Sequence, residues 1–155
     1  MKKLGFGLAL AMCLAVAGQA GMPLQLGLAG DPLQIFGSDC EISGLKLNLP
    51  YAENDIAKGL DLGLVSGGGE FSALRVNAVN LSESRSSGWE IGAINFADGE
   101  MIGMQTGVFN RAGDMHGFQF GIVNCAGHLH GMQLGFLNIV ADGHAVVLPF
   151  INWGF

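Results

Sequence analysis

An eight-residue phrase recurs every 14 or 15 residues from residue 44 to the end of this 155-residue chain, and no other property of the sequence constrains its fold as tightly. GMQLGFLN at Gly131 returns as GFQFGIVN at Gly117, GMQTGVFN at Gly103 and GWEIGAIN at Gly88. Looser copies are ALRVNAVN at Ala73, GLDLGLVS at Gly59 and GLKLNLPY at Gly44, and a last one, AVVLPFIN, starts at Ala145. Eight copies therefore tile residues 44–155, with a partial copy, PLQLGLA at Pro23, placed out of phase before them. A short fixed period means that each copy is one structural unit, able to bury its apolar surface only against its neighbours.

The columns of the repeat define that unit. Position 2 is apolar in every copy and position 4 in all but one, where Thr106 stands. Between them lies Lys46, Asp61, Arg75, Glu90, Gln105, Gln119 or Gln133, and only the last copy has an apolar Val147. Apolar, polar, apolar is the alternation of a strand with one buried and one wet face, which predicts positions 2 and 4 inside and the Lys46-to-Gln133 column outside. Position 5 is glycine or asparagine in seven copies, the residue types that tolerate positive φ, and predicts a bend. Position 8 is Asn80, Asn95, Asn110, Asn124, Asn138 and Asn152 in six.

This pattern predicts an all-β, single-domain β-solenoid of about eight coils of 14–15 residues, in which like positions stack about 4.8 Å apart. Stacking gives the asparagine column a purpose, because each amide can bond to its copies and to turn backbone inside a tight corner. The alternative is an eight-stranded up-and-down β-barrel, with positions 2 and 4 facing lipid. Its antiparallel neighbours would not bring like positions together, and its connections would alternate between short and long. Helical repeats fail, since helix-pair units run to about 33 residues or more and glycine at this density weakens helices.

Lys2 and Lys3, an uncharged run from Leu4 to Ala17, and the small residues of Gly18-Gln19-Ala20 have the layout of a signal peptide over residues 1–20. An uncleaved membrane anchor would need about 20 apolar residues. A lipoprotein signal would end at Cys13, but bulky Met12 stands just before it. Removing Lys2 and Lys3 takes the formal net charge from −6 to −8. No basic patch is then left for nucleic acid. Residues 21–43, with Pro23 and Pro32, are expected to cap the first coil, leaving residues 44–155 as the repeat domain. In a linear stack Cys40 and Cys125 lie about 24 Å apart, too far for a disulfide, which predicts two free thiols.

The strict motif G-x-Q-x-G-x-x-N, in Gly103 to Asn110, Gly117 to Asn124 and Gly131 to Asn138, resembles the exported bacterial proteins of surface-repeat type. The resemblance covers roughly residues 44–155 and implies association with the cell envelope: periplasm, outer membrane or cell surface. It implies no catalytic residues and no cofactor.

Chemistry in a solenoid lies on stacked columns. His116, His130 and His144 precede repeat starts by one residue, and Asp114, His128 and Asp142 precede them by three. These side-chain types suit zinc and similar ions, although a rung spacing of about 4.8 Å is wide for two ligands on one ion. No nucleophile elbow or phosphate loop occurs, and LSESRSSG, residues 81–88, reads as a polar loop. A carbohydrate-active β-helix is the one enzyme class the pattern leaves open. The expected function is non-catalytic: a structural or interaction protein that presents the flat column of Gln105, Gln119 and Gln133 to a partner. That partner is another envelope protein, or a second copy at the apolar C-terminal end.

Overall fold

The computed structural model describes residues 21–28, 33–142 and 146–155. The proposed signal peptide lies outside the described residues. The chain is a β-solenoid with strands β1 (Met22–Gly27), β2 (Ile42–Glu53), β3 (Ile56–Gly67), β4 (Glu70–Ser82), β5 (Arg85–Ile91), β6 (Ile94–Val140) and β7 (Val146–Gly154). Strand β6 is continuous over 47 residues because it winds through several coils without losing its ladder.

Pairing from β1 to β6 is parallel and follows the repeat: Gly44 lies on Gly59, Gly59 on Ala73, Ala73 on Gly88 and Gly88 on Gly103. The backbone approach continues from Gly103 to Gly117 and from Gly117 to Gly131. Parallel stacking of like positions excludes the up-and-down barrel, whose neighbouring strands run in opposite directions.

Both ends depart from the eight-copy tiling. At the N-terminus the partial copy is structurally in phase, with Leu24 on Leu45, Gln25 on Lys46 and Leu26 on Leu47. Part of the expected cap is thus the first strand of the stack, and residues 33–36 lie against it, with Gln34 bridged to Gly27 and Phe36 bonded to Gln25. At the C-terminus the last copy is not a coil. Strand β7 turns back and pairs antiparallel, with Trp153 on Met132, Ile151 on Leu134 and Phe150 on Gly135. The parallel coil count is accordingly lower than eight. Pro149 at position 5 has no N–H to donate to a parallel rung, which accounts for the end of parallel pairing at this copy.

Positive φ belongs to position 1 rather than to the expected position 5. Gly59, Gly88, Gly103 and Gly117 have φ of 114°, 116°, 126° and 135°, and Ala73 adopts 116° in the same column. Position 5 is glycine for space: a Cβ at Gly107 would meet the Gly92 carbonyl oxygen at 2.3 Å and the Asn95 amide nitrogen at 2.7 Å.

Candidate functional site

Alternation along each coil sorts its residues into inner and outer sets, and the sorting is the reverse of the expected one. The column between the apolar positions faces inward. Lys46, Asp61, Arg75, Glu90, Gln105, Gln119 and Gln133 are each no more than 1% exposed. Gln105, Gln119 and Gln133 therefore form no outer interaction face.

Inside, these side chains bond to one another. Gln133 donates to Gln119 (2.8 Å), Gln119 to Gln105 (2.8 Å) and Gln105 to Glu90 (3.0 Å). Each glutamine also reaches across the coil to a position 9 carbonyl, that of Ile139, Cys125 or Arg111. Four charges alternate in sign above them: Lys46, Asp61, Arg75 and Glu90. Arg75 Nη1 donates to Ser82 Oγ (2.8 Å) and to Glu90 Oε1 (3.4 Å), and its Nε lies 3.3 Å from Asp61 Oδ2. Asp61 accepts from the Asn48 and Asn77 amides and the Ser66 hydroxyl. Lys46 donates to the Gly67 carbonyl (3.3 Å), and burial pushes its pKa down to about 8, with Asp61 acting the other way. Ser82 and Ser86, expected in a polar loop, are buried and donate to Glu90.

The asparagine column forms a second ladder. Asn80, Asn95, Asn110 and Asn124 each donate to the next asparagine at 2.7 to 2.8 Å, ending on Asn138. The same amides donate to the position 4 carbonyls of the following coil, those of Ile91, Thr106, Phe120 and Leu134. Strand β7 closes both ladders: Asn138 donates to the Leu148 carbonyl, and Asn152 donates to Gln133. Asn152 thus ends the glutamine column and is not a rung of the asparagine one, because its strand runs the other way.

The apolar interior is a column the repeat phrase does not contain. It stands two residues before each repeat start and includes Ile42, Ala57, Phe71, Met101, Met115 and Leu129, with Ala97, Ala112 and Ala126 opposite. Charged and polar flanks such as Glu100 and His116 mask these single apolar residues when the sequence is read for runs.

These bonds give the shape of a coil. A position 3 side chain spans to position 9, and a position 8 amide reaches position 4, so the chain folds back between positions 4 and 8 around a thin interior. Outer residues then cover two sides and the edge joining them. Column 2 runs Leu24, Leu45, Leu60, Leu74, Trp89, Met104, Phe118, Met132 and Trp153, each at least partly exposed. Position 6 holds Leu49, Leu64, Val108, Ile122 and Phe136, 60%, 49%, 52%, 55% and 71% exposed, with Phe150 of β7 edge-on to Phe136. Position 7 adds Val65, Val79, Ile94, Phe109, Val123 and Leu137 on the other side. Positions 2, 4, 6 and 7 contain no ionisable side chain, whereas a monomer's largest apolar patch is ordinarily about 300–600 Å².

The candidate metal ligands sit on the opposite edge. His128 Nδ1 is 2.6 Å from Asp114 Oδ1 and its Nε2 is 3.6 Å from Asp142 Oδ1. His116 and His130 stack with ring centroids 4.8 Å apart, and His116 Nε2 is 3.8 Å from Glu100. The two columns run as separate ladders, and among the described residues no three metal-binding side chains converge. His144 lies outside the described residues. Cys125 is a free thiol, its pKa raised by burial. Cys40 is in a disulfide, contrary to the expectation of two free thiols.

Comparison with known proteins returns no matching family model, curated protein or solved structure.

Proposed function

We propose that this chain is an exported, non-catalytic structural or interaction protein of the bacterial cell envelope that works by docking its repeated apolar edge. The observation that carries this reading is the inversion of the coil: amides and charges bond among themselves inside, while uncharged apolar columns stand outside along the whole stack. An apolar surface of that extent in water marks a contact site. Most members of the interior ladders are satisfied within them, the exceptions being Asn48 Oδ1 and Arg75 Nε, which lack a hydrogen bond. The signal-like residues 1–20 and the resemblance to surface-repeat proteins support export.

Expression of the whole chain in a bacterial host, followed by fractionation and mass spectrometry, tests the reading. The expected product lacks residues 1–20 and is held in the envelope fraction. The double variant Val108→Glu/Ile122→Glu should be exported equally and released from that fraction by salt washing. A full-length cytosolic product, or a variant retained as firmly as the original, contradicts it.

A further inference from the structure

Resting on that docking reading, we propose that the occupant of the apolar edge is a neutral lipid surface, into which the fold between positions 4 and 8 dips while the solenoid axis lies in the plane of the leaflet. The shape favours lipid over a protein partner. A second copy or a flat sheet covers one side of a thin coil, but here apolar side chains occupy both sides of the fold and its crest, and a fluid phase closes around an edge.

Dimensions agree with shallow insertion. Nine rungs from β1 to β7 give an edge about 38 Å long, and the distance from its crest at positions 6 and 7 back to position 4 is about 7 Å. Interfacial elements bury their apolar faces by about 5–10 Å.

Hydrogen bonding agrees as well. The position 4 carbonyls beneath the crest accept from the asparagine ladder, and Trp89 Nε1 donates to Thr106 Oγ1 at 3.0 Å. These groups do not need water, the requirement for backbone entering hydrocarbon.

Charge selects the lipid. The four interior charges cancel, so the excess of acid lies on the outer surface, around the edge opposite the crest, where Glu100, Asp114 and Asp142 stand. That arrangement keeps carboxylates in water and repels anionic headgroups.

The test is flotation of the purified protein with phosphatidylcholine vesicles, with and without phosphatidylglycerol, and quenching by brominated lipid of a tryptophan introduced at the crest by Ile122→Trp. The protein should float with the zwitterionic vesicles, the crest tryptophan should be quenched more strongly than Trp89 and Trp153 of column 2, and phosphatidylglycerol should weaken binding. Val108→Glu/Ile122→Glu should lower partitioning by about tenfold or more while leaving the circular dichroism spectrum unchanged. Absence of flotation, or flotation that the variant retains, overturns the lipid assignment. Concentration-dependent dimers in sedimentation velocity, lost in the variant and unaffected by vesicles, overturn it in favour of a second copy. In those outcomes the docking reading still stands if the variant is released from the envelope fraction, so the two claims fail separately.

Discussion

At the scale of the residue, two kinds of glycine hold the coil together for different reasons, and mutation separates them. Gly117 has φ of 135°, and a Cβ there would stand 2.1 Å from the Gly103 carbonyl oxygen. Gly117→Ala should therefore lower stability by on the order of 3 kcal/mol in urea denaturation. Ala73 carries a side chain at φ 116° in the same column, and Ala73→Gly should raise stability by about 1 kcal/mol once the freer unfolded chain is included. Lys46 supplies a test in pH. It loses its proton at about 8 in the fold against 10.5 as the ordinary value, so between those values the unfolded chain holds more protons. Stability should rise with pH across that window, by up to about 1.4 kcal/mol per unit, and Lys46→Met should flatten the rise. Tyr51, raised to about 12 by burial and its bond to Glu53, pulls the other way above pH 10, and the Cys125 thiol, raised by burial, does so above about 9, so the difference between the protein and Lys46→Met isolates the lysine. The glycine columns were legible in the sequence, but their division of labour was not. Residue type announces tolerance of positive φ or of close approach without saying which is needed.

Among elements, the controlling feature is the inward ladder that begins as four alternating charges and continues as three glutamines. Removing one charge strands its neighbours. Arg75→Gln leaves Asp61 and Glu90 buried without their cation and should cost about 3–5 kcal/mol. Replacing Lys46, Asp61, Arg75 and Glu90 together by glutamine extends the amide ladder instead, and should cost less than the single change, because the pairs are coupled. Denaturant midpoints of the two variants decide it, and a quadruple variant weaker than the single one contradicts the ladder account. Period and strand type were readable from residues 44–155. The direction of the last strand was not, since AVVLPFIN keeps the phase of the repeat. Pro149, which has no N–H for a parallel rung, is the signal that the chain turns back there.

For the whole molecule, alternation told which residues share a face but not which face is inside. The usual rule places apolar residues in the core because an unpaired buried amide is costly. Stacking removes that cost here: each asparagine of the ladder donates to the next and to backbone, so polar columns fill a thin interior and larger apolar side chains are left outside. Among the described residues, the apolar side chains that fit within the coils are mainly those two places before most repeat starts and small alanines such as Ala97, Ala112 and Ala126 opposite them. Native methionines occupy both sets. Met104 and Met132 are half-buried members of the outer column 2, and Met101 and Met115 are fully buried. Peroxide oxidation of the folded protein, followed residue by residue by mass spectrometry, compares the two sets directly. The inverted coil predicts that Met104 and Met132 become sulfoxides well before Met101 and Met115. Oxidation of Met101 and Met115 first, or of all four at one rate, would contradict it.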